Sequence, residues 1–197
     1  MLEIERNTRK KQPKQDRSRV TVEAIIEATT RILEREGRTA LTTNRVAQVA
    51  GVSVGSLYQY FPNKEALLAE VKQRYDLDFT ARMAAQLGRL AQLPLRQAVC
   101  EFIHFLIEIH AENPKLHNEV AAEVPESEEQ LIREFARAYF ETHRDEIRPI
   151  DLELATYILL EAGEALIHET ALREPERLRD KRFEEEVCEL FLRYLAV

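Results

Sequence analysis

Apolar positions recur along this chain every three to four residues from Ser18 almost to its last residue. That spacing puts them on one face of an α-helix, so the pattern predicts helices. The first begins at Ser18, carries Val22, Ile25, Ile26, Ile32 and Leu33 on one face, and stops at Gly37. A short second helix starts near Thr43, which can cap it, buries Val46, Ala47 and Ala50, and breaks at Gly51. Ser53 can cap a third through Gln59, with Leu57 and Phe61 one turn apart on its inner side. Asn63 can cap a long fourth, striped by Leu67, Leu68, Val71, Tyr75, Phe79, Met83 and Leu87.

Five more helices are predicted at about 95–111, from 114 to near 125, at 126–146, at 149–172 and at 180–195. The segment 95–111 is apolar on most sides, which suits a central position. No strand pattern and no internal repeat is present in the sequence, and only five glycines and seven prolines serve turns. The expectation is an all-α fold of about nine helices. It divides into an arm at 1–18, a head at 19–79 with a helix-turn-helix at about 42–61, and a body at 80–197.

Charge sharpens the division. Residues 1–74 carry 14 Lys/Arg against 9 Asp/Glu, a net of +5, and residues 75–197 carry 14 against 26, a net of −12. A basic head on an acidic body suits a polyanionic partner for the head. The arm adds Arg6, Arg9, Lys10, Lys11 and Lys14, which either touch phosphate or are simply solvated. No apolar leader and no long apolar run is present, so a cytoplasmic protein without a membrane span is expected. Cys100 and Cys188 lie in apolar helical patterns and read as buried free thiols. His104, His110, His117 and His143 have no recognised zinc spacing, so neither a metal nor a cofactor is expected.

Residues 51–55, GVSVG, fit the G-x-S-x-G of a hydrolase nucleophile elbow. That elbow needs a strand before its serine, whereas TTNRVAQVA reads as a capped helix. No triad partners or glycine-rich oxyanion loop accompany Ser53, so an enzyme is not expected. Helix, tight glycine turn and helix is instead the layout of a helix-turn-helix. Its second helix leaves Gly55, Ser56 and Gln59 outward, with Tyr58 and Tyr60 at the edges.

The run LTTNRVAQVAGVSVGSLYQYFPNKEALLAEV, residues 41–71, resembles the DNA-binding head of the tetracycline-repressor (TetR) family. The resemblance rests on the threonine pair at 42–43, AGVS at 50–53, LYQYF at 57–61 and NKEALL at 63–68. It implies that Thr43, Asn44, Tyr60 and Lys64 touch phosphate. Gly55, Ser56, Tyr58 and Gln59 would face bases or their sugars, with Gln59 suited to adenine and Val54 to a thymine methyl, and Ser53 is counted among the DNA-binding residues. Tyr58 has a second reading, packing against the first helix. The resemblance further implies a homodimer on a palindromic double-stranded DNA operator, repressing transcription until a small apolar or amphipathic effector releases it. Candidate effector contacts are Tyr75, Phe79, Phe102, His104, Phe105, Ile109, Phe135 and Tyr139. Candidate dimer contacts are Ile158, Ala162, Ala165, Leu166, Val187, Leu190, Phe191 and Tyr194, for which an ordinary core is the other reading. A family member without a small effector, or a helical protein-interaction module, remains the alternative. The operator, the effector and the sign of regulation are not written in the sequence.

Overall fold

The computed structural model describes residues 16–120 and 126–197, and the basic arm lies largely outside them. Among the described residues there are nine α-helices and no strand beyond a single bridge. They are α1 (Asp16–Glu36), α2 (Thr43–Ala50), α3 (Val54–Tyr60), α4 (Lys64–Leu90), α5 (Leu95–Glu112), α6 (Pro114–Val120), α7 (Glu126–Thr142), α8 (Leu152–Arg173) and α9 (Lys181–Leu195). Compared with the sequence expectation, α1 starts two residues earlier and α7 stops at Thr142. A single 3-10 turn, Arg38–Ala40, follows α1, and another, Arg144–Glu146, follows α7.

Packing divides the chain into two units. One comprises residues 1–78 and 115–122, the other residues 79–114 and 123–197. The division falls inside α4, which is unbroken across it.

In the first unit, Val22, Ile25, Ile26, Ile32 and Leu33 of α1 are all at most 4% exposed. They pack with Leu41, Val46, Ala47, Leu57, Phe61, Leu67 and Val71. Thr29 is fully buried on the same face, where its hydroxyl donates to the Ile25 carbonyl at 2.8 Å and so loses no hydrogen bond. Two residues distant in sequence, Leu116 and Val120, complete this core.

In the second unit, α5 packs along α8 and α9, and α8 along α7. Leu95, Ile103, Phe105, Leu106, Ile107 and Ile109 of α5 are buried there, which bears out its central position. Gly163 of α8 allows a close approach: a Cβ at that position would lie 3.2 Å from the ring of Phe191. The tail after α9 is pinned beside residues 146–148, where Arg148 N–H donates to Leu195 O at 3.0 Å and Val197 N–H to Glu146 O at 3.2 Å.

The thiol expectation needs correction. Cys100 and Cys188 are joined as a disulfide between α5 and α9, with Cα atoms 5.2 Å apart. Helical periodicity shows which side of each helix is apolar, but not which two apolar sides meet.

Candidate DNA interface and effector cavity

The two short helices are set by their caps. Thr42, with extended backbone, accepts from Arg45 N–H at 3.1 Å and starts α2. It takes the capping role expected of Thr43, whose hydroxyl instead meets the Tyr58 hydroxyl at 3.0 Å and ties α2 to α3. Gly51 ends α2 in the left-handed region, φ 67°, where its N–H reaches back to Ala47 and Gln48 and a side chain would be strained. Ser53 accepts from Ser56 N–H at 3.0 Å and starts α3. Asn63 accepts from Ala66 N–H at 2.8 Å and starts α4. Leu57 and Phe61 anchor α3 from behind, both fully buried.

That anchoring decides what faces outward. Asn44, Ser53, Val54, Gly55, Tyr58, Gln59 and Lys64 are exposed, and Thr43 and Ser56 are half-buried. Tyr60 departs from its expected edge position: it is 7% exposed and part of the core, because it lies three residues after Leu57 on the same face. Residues 37–64 contain Arg38, Arg45 and Lys64 and no Asp or Glu, in a chain that has 35 acidic residues. A polyanion can therefore approach this run without meeting a carboxylate of its own. Arg45 donates to Glu36 at 2.7 and 3.3 Å and to Gln48 at 3.1 Å. The hydrogen bond from Arg45, reinforced by its charge, holds the Glu36 carboxyl below its ordinary range.

The second unit holds a partly open apolar cavity of about 70 Å³, lined by α4, α5, α7, α8 and α9. Phe102, Phe135 and Tyr139 line it, together with Ile132 and Leu159, which the sequence did not single out, and Phe191, which was expected at the dimer interface. Its hydroxyls are engaged: Tyr139 donates to Leu93 O at 2.6 Å and Thr156 to Leu152 O at 2.7 Å. Burial, aided by the negative field of Glu146, pushes the Tyr139 phenol up to about 12, so it stays neutral. The other five candidates lie off this wall. Phe105 and Ile109 are buried in the same core without lining the cavity, and Phe79 packs against that core. His104 is at the surface, 3.1 Å from Glu184. Tyr75 belongs to the first unit, where its hydroxyl meets His117 Nδ1 at 2.6 Å.

Comparison with known proteins decides the family. Residues 25–71 match the family model for bacterial regulatory proteins of the tetR family. Residues 94–195, about half the chain, match that of the tetracyclin repressor-like C-terminal domain. The chain belongs to the TetR family of transcriptional regulators. An uncharacterized HTH-type regulator of Bacillus subtilis strain 168, YhgD, is 30% identical over 77% of this chain and 84% of its own length. The fold matches a TetR-family regulator from Mesorhizobium loti MAFF303099 with a TM-score of 0.66, at 20% identity over 93% of this chain and all of that one. It also matches SmeT, the repressor of the Stenotrophomonas maltophilia efflux pump SmeDEF, with a TM-score of 0.61, at 19% identity over 89% of this chain and 90% of that one. SmeT has also been solved in complex with triclosan.

Regulators of the TetR family are DNA-binding proteins rather than enzymes, and the helix-turn-helix described above is the DNA-binding element of this one. Its candidate dimer residues fall on two sides of their helices. Ile158, Ala162, Ala165, Leu166 and Leu190 are exposed, Leu190 at 58%. Val187 and Phe191 are buried in their own protomer, with Phe191 against Gly163 and the cavity. Tyr194 is half-buried beneath the Arg148 guanidinium, 4.9 Å from its ring centre. Leu154, Tyr157 and Leu172 extend the exposed apolar face of α8.

Proposed function

We propose that this TetR-family regulator is a cytoplasmic repressor that binds a palindromic operator as a homodimer and is released by a small apolar effector. The outward face of α3, polar, small and free of carboxylates, carries the reading. Gly55 and Ser56 let its N-terminus come close to a groove floor, Gln59 reads a base edge, and Val54 contacts a thymine methyl. Thr43, Asn44 and Lys64 hold phosphates on either side, which sets register.

Two such heads are needed to span half-sites one helical turn apart. The exposed apolar faces of α8 and α9, with Leu154, Ile158, Leu166 and Leu190, supply a surface for pairing. The cavity accounts for control. Its apolar lining and engaged hydroxyls favour apolar chemistry. The triclosan complex of SmeT, a repressor of the same fold, supports that class of ligand. Effector binding shifts the population only if the DNA-incompetent state binds it better. Helix α4 offers the covalent path, since it carries Lys64 at one end and Leu87 and Leu90 of the cavity wall at the other.

The test is nuclease protection of the DNA upstream of the protein's own gene, across a salt series. A discrete palindromic footprint is expected. Lys64→Ala should weaken it evenly across sequences and lower the salt slope by about one, whereas Gln59→Ala should relax preference at one base pair by about 1–3 kcal/mol. Uniform, strongly salt-dependent coverage with both variants like wild type would overturn the reading.

A further inference from the structure

Cys100 of α5 and Cys188 of α9 line neither the DNA face nor the cavity, yet their bridge joins two of the cavity's walls. Their Cα atoms are 5.2 Å apart, within the span a disulfide needs. On α5 the cavity is lined by Val99 and Phe102, which flank Cys100 in sequence. On α9 it is lined by Phe191, one turn beyond Cys188. One turn to either side of Cys100, Arg96 meets Glu189 at 3.5 Å and His104 meets Glu184 at 3.1 Å. Both pairs are largely solvated, and such pairs contribute little to holding two helices together. The bridge is a far stronger tie. The cavity holds about 70 Å³, whereas pockets for drug-sized ligands run to about 300–1,000 Å³. A ligand of that class needs the walls to move apart.

We propose that Cys100 and Cys188 are a reversible redox couple, closed by a hydroperoxide, whose bridge holds α5 to α9 and keeps apolar effectors out of the cavity. This rests on the effector-binding role proposed above. A DNA-binding regulator works where disulfides are rare and, when present, mostly transient and redox-sensing. Cys100 is half-buried and Cys188 only 7% exposed, so Cys100 meets the oxidant and Cys188 resolves. The Cys100 thiolate attacks one peroxide oxygen. The O–O bond breaks, sulfur gives up two electrons and becomes a sulfenic acid, and the other oxygen leaves as water or an alcohol. Cys188 sulfur then attacks Cys100 sulfur, the S–S bond forms, and the sulfenic oxygen leaves as water with the Cys188 proton. A thiol reductant reverses the couple by two exchange steps and frees α5 from α9.

The full-length protein would be reduced with dithiothreitol, desalted and divided, one portion being treated with hydrogen peroxide. Thiol titration and intact mass should show both thiols lost as two hydrogens within one chain. Both portions would then be titrated with the apolar fluorophore N-phenylnaphthylamine. The oxidised protein should bind it at least about fivefold more weakly, the lower end of coupling between sites, and dithiothreitol should restore binding. Cys100→Ser and Cys188→Ala should each bind like the reduced protein with or without peroxide. Either variant suffices if the other does not fold. Thiols that survive peroxide, or that gain oxygen without bridging, would overturn the proposal. Equal affinity in both portions would overturn it and leave the cavity standing as an effector site. Binding in neither portion would remove the effector reading along with it, whereas the footprint tests DNA recognition separately.

Discussion

At the scale of single residues, the head is organised by hydrogen-bond acceptors placed one residue before each of α2, α3 and α4. Thr42, Ser53 and Asn63 each satisfy a main-chain N–H that would otherwise be unmet, and Asp151 and Asp180 do the same for α8 and α9. Thr42→Ala should therefore destabilise the protein by about 1 kcal/mol in denaturant unfolding. Thr43→Ala, which removes only a hydroxyl bond to Tyr58, should cost less. Equal losses would mean that the cap assignment is wrong. The sequence exposed this layer at Ser53 and Asn63, because capping chemistry is local. It could not choose between two adjacent threonines with identical side chains. The extended backbone of Thr42, φ −132°, makes that choice. Tyr60 was misplaced for a related reason: a seven-residue helix has so few apolar residues that one turn of phase decides what is buried.

At the scale of elements, α8 is the informative helix, since it is apolar on two opposite sides. Ala155, Leu159, Gly163 and Ile167 face inward, while Leu154, Tyr157, Ile158 and Leu166 face out. Exposed apolar side chains gathered on one helix are the kind of surface that pairing would cover. Ile158→Arg combined with Leu166→Glu should shift the protein to a monomer in sedimentation velocity, with little change in helical content. Phe191→Ala should instead cost about 3–5 kcal/mol of folding stability, because its ring is inside the protomer against Gly163. Periodicity alone shows a stripe and says nothing about which partner covers it. That is why Phe191 and Leu190, neighbours in sequence, were placed on one surface and lie on two. The same blindness left five of eight expected effector contacts off the cavity wall: aromatic residues at helical spacing mark a core, and only the packing of α4, α5, α7, α8 and α9 shows where that core is hollow.

At the scale of the whole molecule, the longest covalent constraint is the Cys100–Cys188 bridge, with a sequence separation of 88. Closing a loop of that length stabilises a fold by about 2–5 kcal/mol, so the oxidised protein should melt well above the same protein kept in excess reductant. Identical melting curves would mean that the thiols are free in solution. A reducing cytoplasm would keep such a pair open.

The return of residues 115–122 to the first unit has its own consequence for how the protein is made. Leu116 and Val120 fill part of that core, and Glu119 accepts from the Arg38 N–H at 3.2 Å. A nascent chain that has just emerged as far as residue 78 therefore has every helix of the DNA reader but an unfilled gap beneath it. At bacterial or eukaryotic elongation rates the missing piece arrives roughly 2–8 s later. The core of the first unit is therefore complete only once the chain through Val120 has been made, when the ribosome is already within the second unit.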